Sequence, residues 1–214
     1  MPRPWIRTAE WLVVALLYVV LVVFVVTLRA DLAAKISDSR FVIEQMGALA
    51  TVVAAAAAAF STISPDHGRK FLAAPFLSLS IWFVSLGQAY IQSNSEDWVL
   101  PDLDGLTRHP AWYCAPAIVL VASVPAIAIT LMLHRGAPLA PHLTALLGGL
   151  AAAALGAFGV RFFCAQDGSL MVLIWQFGTM CVLSTLAGCA GHRLLKGTDM
   201  AGEATRTAVR RRSP

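Results

Sequence analysis

Residues 143–159 read LTALLGGLAAAALGAFG, a run without one charged side chain. Two series of small residues pass through it. Gly148, Ala152 and Gly156 recur at every fourth position, and so do Gly149, Ala153 and Ala157. On a helix this spacing lines small side chains along one side and lets another backbone approach closely. The stretch therefore predicts a membrane-embedded helix with close-packing seams. A dimer seam and packing within the chain both fit. Packing within the chain is the expectation, because a bundle of such helices must itself be held together.

The rest of the chain extends this reading. Of its 214 residues 58% are hydrophobic and 13% charged, with a mean hydropathy of +0.71. A soluble domain carries about 25% charged residues. The charges here fall between long apolar runs, from about Trp11 to Leu28, Ile43 to Ile63, Leu72 to Ile91, Tyr113 to Leu133, Leu143 to Phe163 and Leu170 to Gly191. Each approaches the ~20 residues that cross a bilayer as a helix, and a bilayer forces spanning backbone to bond internally. The predicted fold class is all-α: a polytopic membrane protein with six transmembrane helices in one bundle. Residues 1–10 read as a short N-terminal segment, 11–192 as the transmembrane domain and 193–214 as a basic tail. The first run is longer than a secretory h-region and no small-x-small site closes it, so it is expected to be retained. The second run contains the alanines Ala54 to Ala59. Alanine gains little from lipid, so this helix is expected to be shielded by its neighbours.

Charge sets an orientation. Eleven of the 16 Lys and Arg residues lie in the N-terminus, the 64–71 and 134–142 loops and the tail. The positive-inside rule then places both termini in the cytoplasm. Glu96, Asp97, Asp102 and Asp104 cluster in the opposite, outer set of loops. The 29–42 segment reads equally as a connector or as a short interfacial helix carrying Leu32 and Ile36 on one side. Pro125 falls midway through the fourth span and is expected to kink it. Pro75 and Pro116 are expected in first turns, where proline is harmless.

Every loop is short, which leaves no room for a large ectodomain or a cytosolic catalytic domain. No enzyme activity and no cofactor is expected. Few ionisable residues lie deep in the spans, which argues against a transporter of ions or protons. The small-transporter, packing-subunit and membrane thiol-oxidoreductase readings stay as alternatives.

Four cysteines are present. Cys181 and Cys189 fall within the sixth span, where cysteine packs as a small hydrophobe. Cys114 opens the fourth span and Cys164 closes the fifth, so both are expected at the same outer level. The helix dipole at Cys114 favours a thiolate. At Cys164 it opposes one, and Arg161 would offset that. His109, Asp167 and Asp104 are near enough in sequence to join a metal site, yet no compact C-x-x-C motif accompanies them, and the metal is unspecified. The residues leave three readings open: reactive sensing thiols, a static disulfide, or two unrelated interfacial cysteines.

Three stretches carry a resemblance. LRADLAAK at 28–35, RGAPLAPHLTALLGGLAAAALGA at 135–157 and FFCAQDGSLMVLIWQ at 162–176 resemble the negative-regulator-of-sigma-F (NrsF) family over roughly residues 11–196. The resemblance implies a six-span bacterial inner-membrane anti-sigma factor. Such a protein holds an extracytoplasmic-function sigma factor at the membrane and releases it under oxidant or metal stress. It also implies that Cys114 and Cys164 are the periplasmic sensing thiols. The family pattern includes a polar N-terminal segment, whereas this chain begins MPRPWIR, and it leads one to expect histidine or another polar aromatic residue where Gln176 stands. The partner surface is then expected among Arg69, Lys70, Arg135, His142, Arg210, Arg211 and Arg212. Those basic groups would serve an acidic protein face or anionic lipid equally. No direct nucleic-acid contact is expected.

Overall fold

A computed structural model describes residues 4–26, 31–63, 70–93, 114–134, 140–164 and 177–196. Of residues 70–72, 86–93, 114–115 and 191–196 it describes the backbone alone. The described residues form seven helices and no strand. They are α1 (Pro4–Val25), α2 (Leu32–Ile36), α3 (Ser39–Ser61), α4 (Lys70–Ser93), α5 (Cys114–His134), α6 (Pro141–Val160) and α7 (Gly178–Lys196). α1, α3, α5 and α6 are long and apolar enough to cross a membrane. α4 and α7 carry shorter apolar stretches, Ala73–Ser85 and Gly178–Ala190.

Helix ends follow local chemistry. Pro4, with its fixed φ, opens α1, and Thr8 Oγ1 donates to the Pro4 carbonyl at 3.0 Å. The 29–42 segment contains a helix, the five-residue α2, and not merely a connector. Asp38 caps α3, its side chain accepting from the Arg40 backbone N–H at 3.0 Å. Pro75 departs from expectation. α4 starts at Lys70, two residues before the apolar run, so Pro75 lies inside the helix and not in its first turn. There it removes the donor that would meet the carbonyl of residue 71. Pro116 does fall in the first turn of α5, and Pro125 lies inside that helix.

α6 is the axis of the bundle. It packs against α3, α5 and α7, while α1 lies over α3 and α5, and α4 lies on α3. The seven residues from Ala151 to Ala157 are all buried, and six of them are alanine or glycine, whose small size lets neighbours close in on every side of one helix. Both small-residue seams are used within the chain. A Cβ on Gly156 would sit 2.8 Å from the Ile118 carbonyl oxygen and 2.9 Å from Ala122 Cβ of α5. A Cβ on Gly149 would sit 2.7 Å from Ala187 Cβ of α7. In α3, Ala55, Ala56, Ala58 and Ala59 are buried, as the alanine run led one to expect.

The outward faces are apolar. Val13, Leu17, Leu21 and Phe24 of α1, Leu77 and Ile81 of α4, and Leu120, Ile127 and Leu131 of α5 are all exposed. A face of this size in contact with water would be unstable, whereas lipid accepts it. On its inner side α1 presents Trp11, Ala15 and Val19, one helical turn apart. The Trp11 indole N–H donates to the Pro125 carbonyl at 3.0 Å, joining α1 to α5 in the interior.

Candidate functional site

The chain does not unwind where α6 ends. Phe162 N–H bonds the Gly159 carbonyl at 3.2 Å, and Phe163 and Cys164 N–H both bond that of Val160, at 3.2 and 2.8 Å. These tightened bonds satisfy carbonyls that a helix end leaves open. They also fix Arg161 and Cys164, three residues apart, to the body of α6.

Arg161 turns inward toward α3. Its Nη2 donates to Glu44 Oε2 at 2.7 Å, with the two side chains only 11% and 14% exposed. The guanidinium carbon lies 5.5 Å from the centroid of the Phe41 ring. Phe41 meets Phe162 edge-on at 6.5 Å, and Phe162 meets Phe158 at 5.3 Å. An ionised group away from water needs an opposite charge, and a ring face adds attraction for the guanidinium. The sequence reading gave Arg161 the task of offsetting the helix dipole at Cys164. The structure gives its guanidinium a carboxylate on another helix. Glu44 was missed because one acid near the end of an apolar run reads as a boundary residue. The signal available was that Glu44 opens its run and Arg161 closes its own on the same expected side.

Cys164 is disulfide-bonded, while Cys181 and Cys189 are free and exposed on α7. Cys114 is described only as the first backbone position of α5. Lys70 is likewise described only as the first position of α4. His109, Asp167, Arg69, Arg135, Arg210, Arg211 and Arg212 lie outside the described residues. Among the described residues no group of three His, Cys, Asp or Glu is gathered to hold a metal.

The far end of α6 is tied down as well. Thr144 Oγ1 and Thr62 Oγ1 share a hydrogen bond at 2.7 Å, linking α6 to the end of α3. His142 Nδ1 lies 2.9 Å from the Gly188 carbonyl oxygen of α7. The axial helix thus carries the cysteine turn at one end and polar ties to α3 and α7 at the other.

These features define a class: an all-helical bundle suited to a membrane, with a disulfide-bearing turn on its central helix. The chain belongs to the negative regulator of sigma F family (NrsF), whose model matches residues 1–196. Comparison with curated proteins and with solved structures found no match.

Proposed function

We propose that this chain is a bacterial inner-membrane anti-sigma factor that spans the membrane six times with both termini in the cytoplasm. It holds an extracytoplasmic-function sigma factor and releases it when Cys114 and Cys164, on the periplasmic side, are oxidised or capture a soft metal ion. Family membership supports the negative regulation of a sigma factor. The observation that carries the thiol switch is the disulfide at Cys164, on a turn bonded directly to the axial helix.

Cys114 is the partner this reading assigns to Cys164. Gly156 lies against Ile118, and Gly148 against Leu133 and Ile129. That register makes α5 and α6 antiparallel and brings the start of α5 to the end of α6. The chain has four cysteines, and two of them are free. In the switch, two thiols become one disulfide, and two electrons and two protons pass to an oxidant of the peroxide or quinone class. The basic groups Arg69, Lys70, Arg135, Arg210, Arg211 and Arg212 belong to the opposite, cytoplasmic end, where the sigma factor or anionic lipid would meet them.

The test is recovery of the cognate sigma factor with the affinity-tagged protein from membranes treated with diamide or with dithiothreitol. Recovery under reductant and loss under oxidant is the expected result. Equal recovery in both would rule out the switch, and Cys164→Ser should abolish any difference.

A further inference from the structure

We propose that Glu44 and Arg161 form a latch that carries the thiol state of Cys164 from α6 into α3; the proposal rests on the thiol switch described above. The two groups come from helices far apart in sequence and meet at 2.7 Å with little solvent around them. Arg161 sits in the same hydrogen-bonded turn as Cys164, so a change of geometry at the cysteine displaces the guanidinium with it. Phe41, one turn before Glu44 on α3, receives both the guanidinium on its face and the Phe162 ring at its edge. The turn therefore grips α3 through one ionic and two aromatic contacts. α3 carries the displacement to Thr62, which is tied to Thr144 at the other end of the bundle. The closed latch accompanies a disulfide-bonded Cys164, so it belongs to the oxidised state, the one that releases the partner. Glu44 and Arg161 are positioning residues: they touch no ligand, and they relay the position of the cysteine turn.

The test uses the full-length protein in membranes. Glu44→Gln combined with Arg161→Met removes both charges, so neither is left buried alone and the fold is kept. Sigma-factor recovery in diamide and in dithiothreitol is measured beside the disulfide state, read by maleimide labelling before and after reduction. In the variant the disulfide should form as in wild type, while the sigma factor stays bound in both conditions. The oxidant-induced release should fall at least about fivefold, within the range typical of coupling between sites. Glu44→Asp, which keeps the charge pair, should retain the response. Wild-type release in the double variant overturns the latch. So does release in both conditions, which is what a pair that only stabilises the fold would give. If wild type itself fails to respond, the thiol switch falls and takes the latch with it. If wild type responds and the double variant does too, the latch alone is lost.

Discussion

Gly156 and Gly148 both face α5, yet they differ in what stands opposite. A methyl group on Gly156 would meet a backbone oxygen, whereas one on Gly148 would meet the end of the Leu133 side chain at 3.2 Å. Backbone cannot step aside, but a leucine methyl can. Gly156→Ala should therefore destabilise the bundle by about 1–3 kcal/mol, the usual cost of overpacking, and Gly148→Ala by about 1 kcal/mol or less. Unfolding midpoints in a detergent–denaturant titration would measure both. The ion pair makes a second contrast. Arg161→Ala strands the Glu44 carboxylate and should cost about 3 kcal/mol, while replacing both groups by neutral side chains should cost much less. The small-residue spacing was legible because it is local and periodic. Glu44 and Arg161 were not legible as a pair, since 117 positions separate them and neither residue signals its partner.

Each long helix follows its apolar run, because continuous hydrophobicity and the need for internal hydrogen bonds leave few alternatives. Helix starts were less legible. α1 begins at Pro4, ahead of the apolar run, and α4 begins early enough to enclose Pro75. In both places polar or charged residues are helical, and hydropathy cannot register them. The docking of α1 was equally hidden, for Trp11 appears in sequence as an ordinary interfacial aromatic. It is in fact 1% exposed and bonded to the carbonyl of the one proline midway along α5. Trp11→Phe keeps the ring but loses the donor, and should cost about 1 kcal/mol in the same titration. Leu17→Ala, on the exposed face of the same helix, should leave the midpoint close to wild type.

At the scale of the molecule, hydropathy supplies the helices and their order but not which one becomes the axis. That role falls to α6 because its glycines and alanines admit three neighbours at once, a property of size and not of polarity. The proposed orientation has its own check. In a cysteine-free background, Asp104→Cys should react with an impermeant maleimide in intact cells, and Ala201→Cys should react only after lysis. The reverse pattern would invert the topology and put Cys164 on the reducing side. The α5–α6 seam has a further mechanical consequence. With glycine on one wall and a carbonyl oxygen on the other, nothing in it is left to compress. A tilt of α6 toward α5 should therefore be felt at once by the Ile118 and Ala122 backbone of α5, with no side chain between them to absorb it.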